Sequence, residues 1–333
     1  MTLTRRRIVA TALAAPLLPR FAKAAEFEWR LGHTAPATFP LHKQLVQAAA
    51  EIAKASDGRI AIKVFPESQL GAQLGLLAQL RAGNIEATPV VGQALAGVLG
   101  AVFVQSVGFG FAGYSQLWPA LDGDLGKALR FQFQERLGLI AMEKAWDFGF
   151  RQVTTRKKPI VTAADLVGLK IRTPVDEELV GLFHTLKAAP LAMNLQDMIP
   201  AMQAGAVDAQ EGILPLVQAA GLDQQQGCCS ITNHSWDGQW LCFNNRAWLR
   251  LPDKLKDVVS TALNRAAVRQ RADVAADEAA AKTDLTGKGM VFNTPDPASF
   301  RSVLRSAGYY DKARKRVGDE LWGLLEKYSG RLA

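Results

Sequence analysis

Arg172 closes the run Leu169-Lys170-Ile171-Arg172, just before Thr173-Pro174. A guanidinium offers paired donors in a planar fork that matches a carboxylate, and it stays charged when buried. The carboxyl end of a strand is also where open α/β sheets present ligand sites. Alone, an arginine at a strand end is more often a solvated surface residue, so its neighbours must decide.

Three other constellations could do chemistry. Gly108-Phe109-Gly110-Phe111-Ala112-Gly113 spells G-x-G-x-x-G, and the apolar Ala101 to Val107 before it has the composition of a strand. An NAD-dependent oxidoreductase would need a helix opening at those glycines to meet a pyrophosphate. Pro119 and Asp122-Gly123 interrupt the segment after the glycines, so a glycine-rich apolar connection near a cleft is the better account. Cys229 and His234 stand five residues apart, yet nothing visible activates the thiol. The four histidines, His33, His42, His184 and His234, lack the close spacing of most zinc sites, and neither G-x-S-x-G nor H-E-x-x-H occurs. The expectation is no catalytic residue, no metal and no cofactor.

The elements around these residues alternate between strand and helix. Glu28 to His33 and Arg59 to Phe65 alternate as strands, and His42 to Lys54 is an amphipathic helix ending at Asp57-Gly58. Leu74 to Arg81 is a helix stopped by Gly83, and a strand pattern runs through Ile85 to Val91. A second α/β unit begins near Arg151. Thr162-Ala163-Ala164-Asp165 is a capping box, Asp176 to Lys187 a helix, and Asn194 with Asp197 opens another that Pro200 should kink. Val207-Asp208-Ala209 reads as a short strand. Pro252 to about Leu285, rich in alanine and charge, predicts one helix of roughly 50 Å at 1.5 Å per residue, long enough to brace two lobes. The fold class is α/β, and two such units with a strut imply a cleft.

The formal charge of +8 belongs largely to the N-terminus. Arg5, Arg6, Arg7, Arg20 and Lys23 account for five of 39 basic residues, and the remaining 34 face 31 acids. No basic run with interleaved aromatics marks a nucleic-acid face. Residues 1–24 have the layout of an export signal: three arginines, an apolar run from Ile8 to Leu18, then Ala22-Lys23-Ala24 before Ala25. That run is about half the ~20 residues a membrane span requires, and Thr4 to Ile8 suits a twin-arginine signal about as well as Sec export. Cys228, Cys229 and Cys242 form no disulfide framework; one bridge to Cys242 is open in an oxidising compartment, and buried thiols are the alternative.

Residues 150–240 carry the most specific pattern. Phe150-Arg151-Gln152 precedes Lys158-Pro159-Ile160 and Asp165-Leu166-Val167-Gly168-Leu169-Lys170-Ile171-Arg172-Thr173-Pro174; Ala201-Met202-Gln203-Ala204-Gly205-Ala206-Val207-Asp208-Ala209-Gln210-Glu211 and Thr232-Asn233-His234 come after them. With Phe65-Pro66-Glu67-Ser68-Gln69-Leu70-Gly71 in the first unit, this ordered series resembles the DctP-like substrate-binding proteins of TRAP transporters. The resemblance implies a venus-flytrap fold, a long connecting helix and partnership with a two-part membrane permease. It implies that Arg172 holds the ligand carboxylate, and that Arg151 assists it. Leu195 would pack on the ligand, with core burial the alternative, and His33 and Thr34 would offer polar contacts from the other lobe.

Departures from the family pattern bear on the ligand. Gly212 stands after Gln210-Glu211 where asparagine is common, which removes an amide and makes space. Val91 replaces the carboxylate of sugar-acid binders, and Trp146, Trp236 and Trp240 flank the lobe crossings. These features imply a less polar pocket, favouring an aromatic, keto or branched monocarboxylate over a sugar acid, unless the tryptophans only fill the hinge core. Some relatives hold ligand through a cation near the position of Glu211; the tryptophan that accompanies it there is missing here, so no metal is expected. The expected organisation is a signal peptide at 1–24, one lobe from 25–148 plus 238–277, and a second from 149–237 plus 278–333. The expected function is periplasmic capture of a small organic acid for a TRAP permease, with cleavage near Ala24/Ala25; a ligand-sensing module is the remaining non-enzyme alternative.

Overall fold

The computed structural model describes residues 24–333. The arginine-rich leader, as far as Lys23, lies outside them. Eleven strands form one continuous sheet among the described residues: β1 (Phe27–Gly32), β2 (Ile60–Phe65), β3 (Ala87–Val91), β4 (Leu139–Ala141), β5 (Trp146–Thr155), β6 (Lys170–Thr173), β7 (Ala189–Ala192), β8 (Ala209–Ile213), β9 (Cys228–Ser230), β10 (Trp236–Asn244) and β11 (Val291–Asn293). The main order is β2-β1-β3-β10-β5-β8-β6-β7, with β4 on β10 and β9 between β5 and β11. The chain therefore folds as a mixed α/β protein, and β5 and β10 join its two halves. β10 pairs antiparallel with β3 on one side and, on the other, with the first residues of β5 and then with β4; the end of β5 pairs with β8 and β9.

Local sequence accounts for most elements. Pro40 sits at the first turn of helix Pro40–Ala55, where a missing N–H costs nothing, and Leu41, Leu45, Ala48 and Ile52 form its buried stripe. Thr162 and Asp165 make the expected capping box, and the Asp176 carboxylate accepts from Leu179 N at 2.8 Å to cap Glu177–Thr185. Asn194 makes no side-chain cap for Leu195–Gln203, and the strand expected at Val207 starts instead at Ala209. Gly100–Ser106 is a 3₁₀ helix rather than a strand. The apolar run there is buried through Val102, Phe103 and Val104, and such a run looks the same in either conformation.

The long helix runs Asp253–Gly287, 35 residues. Its first turns bury Leu255, Val259, Leu263 and Ala266 against the core of β1, β2 and helix Pro40–Ala55. Its last turns bury Ala281 and Leu285 with Met198, Met202 and Val217 in the other half. Between them Gln270 clamps β5: Oε1 accepts from Asp147 N at 2.9 Å and Nε2 donates to Asp147 O at 2.7 Å. The C-terminal helices Pro297–Ser306, Tyr309–Val317 and Asp319–Ser329 share a core with Gly100–Ser106 and helix Tyr114–Asp122. That core also takes in Leu182, Phe183 and Leu186 of the second unit, so these helices touch both stretches of chain.

Where β5 and β10 cross between halves, two glycines are required. Gly149 has φ +105°, and a side chain there would come 2.8 Å from Glu278 Oε1. A side chain at Gly238, next to the register shift, would collide with the Trp236 ring at 1.7 Å. Buried acids gather at this crossing. Asp147 Oδ1 accepts from Trp236 Nε1 at 2.8 Å and Gly149 N at 2.9 Å, and the Tyr114 hydroxyl donates to Glu278 Oε1 at 3.3 Å. Burial, and then the Asp147 carboxylate, push Glu278 up to about 7.

Glu278 is thus raised in the folded state, so its stabilising contribution is full below its ordinary 4.5 and is lost as pH rises through about 7. Glu278→Gln should raise the melting temperature by a few degrees at about pH 8, with the gain vanishing near pH 4. Circular-dichroism melts across that range check this, and a gain independent of pH contradicts it.

Candidate functional site

The antiparallel register of β5 with β8 sets Arg151 opposite Ile213 and Val153 opposite Glu211. Alternate residues of a strand share a face, so Arg151 and Glu211 meet diagonally. Arg151 Nε donates to Glu211 Oε2 at 2.5 Å and Nη2 to Oε1 at 2.8 Å, a bidentate pair. Its Nη1 donates to Asp237 Oδ2 at 2.5 Å, on β10. One guanidinium therefore ties three strands together, with Glu211 fully buried and Arg151 7% exposed.

His234 completes the group. Its Nε2 lies 3.1 Å from Glu211 Oε2 and its Nδ1 lies 2.8 Å from Thr232 Oγ1. An ionised carboxylate only accepts, so Nε2 carries the proton and Nδ1 accepts from the threonine hydroxyl. Burial lowers the imidazole from its ordinary value against the pull of Glu211, keeping it neutral. Burial alone would raise Glu211, but Arg151 and then His234 hold it down to about 2. Burial likewise opposes the charge on Arg151, and its two carboxylates outweigh that and raise it. Asn233 secures the segment: its N–H donates to Gln152 Oε1 at 3.0 Å, and Gln152 Nε2 donates to Asn233 Oδ1 at 2.7 Å.

Arg172, the next-to-last residue of β6, lies beside this group and is 4% exposed. Nε and Nη2 both donate to Met193 O, at 3.1 and 2.9 Å, and Nη1 bonds to no described residue. Burial lowers its affinity for a proton, Glu211 restores part of it and Arg151 opposes that. It remains a buried cation whose protein partner is a single carbonyl.

A cavity of about 260 Å³ opens between the halves. Thr34, Gln105, Ser106 and Gln239 give it neutral polar groups, Val91, Phe148 and Trp236 give it apolar walls, and Asp237 gives it a carboxylate. Phe148 also lines a second hollow of about 300 Å³ toward Phe39 and Ile213.

The expected residues divide accordingly. Thr34 and Trp236 lie in the cavity wall, with Trp236 anchored through its indole N–H to Asp147. Arg151, Glu211 and Arg172 do not line the cavity; Arg151 is linked to the wall through its bond to Asp237. A side chain at Gly212 would lie 3.3 Å from Gln210 Oε1 and 4.0 Å from Arg151 Nη2, so this glycine leaves room beside the guanidinium. Leu195 is outside the cavity wall and packs on the Met198–Met202 core. His33 is buried with Nε2 3.1 Å from His42 Nδ1, and burial and then His42 lower it to about 4; it too is absent from the wall. Sequence reading missed Asp237, Gln105 and Gln239. The available signal for Asp237 was an acid beside Trp236 at the start of the strand Trp236 to Asn244.

The enzyme-like constellations are taken up by packing and backbone bonding. The first three amides of the Gly108–Gly113 loop are occupied: Gly108 N donates to Tyr309 Oη at 3.0 Å, Phe109 N to His234 O at 2.9 Å and Gly110 N to Val107 O at 2.8 Å. With a 3₁₀ helix in place of the strand before it, this is no dinucleotide cradle. Burial pushes the Cys229 thiol up to about 12, and both nitrogens of His234 point elsewhere. All three cysteines are free and buried.

A sheet in two halves braced by one long helix is the architecture of a two-lobed substrate-binding protein. The chain belongs to the DctP family, bacterial extracellular solute-binding protein family 7, whose model matches residues 31–314. A solute-binding protein of Roseobacter denitrificans is 26% identical over 300 residues, covering 90% of this chain and 91% of the relative. The crystal structure of a TRAP periplasmic solute-binding protein from Ochrobactrum anthropi superposes with TM-score 0.85 at 25% identity, over 92% of this chain and 96% of that one. One from Polaromonas sp. JS666, bound to D-erythronate, superposes at 0.78 with 27% identity, over 92% and 100%. The family and fold are thus those of the substrate-binding component of TRAP transporters rather than of an enzyme.

Glu211→Gln leaves a buried guanidinium short of charge and should cost ~3–5 kcal/mol in urea unfolding at neutral pH. Because the fold depresses this acid, its contribution is present above its ordinary 4.5 and is lost as pH falls toward about 2. The gap between variant and wild type should therefore close in acid, and a gap unchanged there contradicts the assignment.

Proposed function

We propose that this protein captures a small organic monocarboxylate between its lobes in the periplasm and presents it to the membrane permease of a TRAP transporter. The observation that carries this reading is Arg172: a nearly buried guanidinium with one carbonyl for a partner and an unspent Nη1. Burying such a cation is costly unless a counter-charge arrives. A ligand carboxylate supplies it. Arg151 acts through position, since Glu211 and Asp237 already occupy Nε, Nη1 and Nη2.

The organic part of the ligand would lie in the cavity against Phe148, Trp236 and Val91, which keeps keto and aromatic acids among the candidates. Lobes divided at about 148/149, 237/238 and 277/278 would close about Gly149 and Gly238, the two glycines at the strand crossing. Contacts from both lobes exist only in the closed form, so ligand shifts the equilibrium by its differential affinity. The leader directs export, with cleavage near Ala24/Ala25, and no helix among the described residues is long and apolar enough to cross a membrane. The D-erythronate carried by the Polaromonas structure supports a hydroxylated or plain monocarboxylate as the ligand type.

Thermal melting against a carboxylate library tests this. A ligand at ~1,000 times its dissociation constant adds ~4 kcal/mol, worth several degrees. Arg172→Ala should weaken binding by at least ~2–3 kcal/mol, and Arg172→Lys should recover only part, lacking the paired fork. Undiminished carboxylate affinity in Arg172→Ala would sink the assignment.

A further inference from the structure

We propose that Asp147, Tyr114 and Glu278 form a proton-operated catch at the strand crossing: protonated Glu278 stays seated against Gly149, and its deprotonation releases it, so that the angle between the lobes follows pH. The catch presupposes the bend at Gly149 proposed above, and is independent of where the ligand lies.

Three elements converge there. Asp147 and Gly149 lie on β5, Tyr114 opens the helix Tyr114–Asp122, and Glu278 projects from the long helix. The Tyr114 hydroxyl is 3.3 Å from Glu278 Oε1 and 3.4 Å from Oε2, and it faces the Asp147 carboxylate as well. A phenol has one proton to donate. Two carboxylates held side by side away from water cannot both be ionised on that alone, so the pair keeps a further proton. Asp147 is the better equipped to go without it. Burial raises its pKa, but Trp236 Nε1 and Gly149 N donate to its Oδ1 at 2.8 and 2.9 Å and oppose that. The proton therefore falls to Glu278, which releases it at about 7.

The cations nearby are committed elsewhere. Arg271 of the long helix is the one whose charge reaches Asp147, yet both of its Nη atoms bond to Asp122 and its guanidinium stacks 3.8 Å from the Trp118 ring. Lys144 pairs with Asp122 and Glu143, and Arg151 with Glu211 and Asp237. Asp277, the neighbour of Glu278 on its helix, is exposed, and β8 presents the neutral Ile213 to Gly149.

The seat of Glu278 connects its proton to the bend. A side chain at Gly149 would come 2.8 Å from Glu278 Oε1, so the carboxyl fills the space that this glycine leaves at φ +105°. Asp147 is held by Gln270 through both backbone atoms and has no room to retreat. When both acids are ionised, their repulsion is relieved by Glu278 turning toward water, which empties the space at Gly149 and frees β5 to bend. Because the fold raises Glu278, the seated form prevails below about 7 and gives way above it.

Two readouts test this. Spin labels at Lys54→Cys and Lys157→Cys, exposed positions in the two halves, report the distance between lobes, and the native cysteines are buried. Infrared spectra of unlabelled protein report the carbonyl stretch of a protonated carboxylic acid. Wild type should show that band at about pH 6 and lose it by about pH 8.5, with the distance distribution shifting over the same range. Glu278→Gln should lack the band and keep the low-pH distribution throughout. Asp147→Asn removes the repelling charge and should move both transitions down by about one pH unit or more. No band in wild type at about pH 6, or a band that Glu278→Gln leaves in place, overturns the proton on Glu278. Transitions that stay put in Asp147→Asn overturn the part played by Asp147. A band that titrates while a broad distance distribution ignores pH overturns the catch alone, and a single sharp distance at every pH overturns the bend beneath it.

Discussion

A guanidinium buried under a β-sheet cannot be left to its own hydration, and Arg151 shows what the fold does about it. Two carboxylates, 60 and 86 residues further along the chain, arrive on β8 and β10 to meet a single side chain on β5. Desolvating these groups costs several kcal/mol each, and attraction at 2.5–2.8 Å offsets this only where every donor is matched. That demand fixes strand register. A slip of one residue would turn Arg151 or Glu211 to the opposite face and strand a charge. The pairing therefore stitches the two halves of the sheet at the point where the proposed closure would bend them.

Movement there is constrained from behind. The long helix buries apolar residues in both cores, while its middle grips the backbone of Asp147 through both atoms of the Gln270 amide. A clamp on backbone atoms leaves side-chain geometry ahead of it free. Gly149 and Gly238 stand just beyond the clamp, one at a positive φ and one where the Trp236 ring fills the space of a side chain. Bending is thereby directed to a short stretch of two strands, and the pocket lies on that stretch.

How much of this was legible in sequence depended on distance along the chain. Local chemistry read well: the Thr162–Asp165 capping box, the Asp176 cap, the helix stop at Gly83 and the 35-residue strut are each decided within a few residues. The 3₁₀ turn at Gly100–Ser106 did not, because a wholly buried apolar run has no polar face to reveal its period. Arg172 was expected near a strand end, and it lies buried there with Met193 O as its hydrogen-bond partner. The partners of Arg151 were not, since an ion pair across three strands leaves no spacing signature. Trp236 and Thr34 reached the cavity, whereas Leu195 and His33 went to local packing. Side chains of those types satisfy a core as readily as a ligand.

The glycine-rich loop at 108–113 is held by contacts that lead back to the site. Phe109 stacks on Phe300 at 4.7 Å, its carbonyl accepts from Arg301 Nε at 2.9 Å, and its N–H donates to His234 O at 2.9 Å. Phe183 meets the His234 ring edge-on at 5.2 Å from the other side. His234 in turn holds Glu211, and Glu211 holds Arg151. The glycines admit a backbone turn close enough for Tyr309 and Tyr310 to reach Gly108 with their hydroxyls. A motif with the spelling of a nucleotide site is thus spent on fastening the C-terminal helices to the histidine. Those helices, remote in sequence, thereby help to orient the buried Glu211 carboxylate.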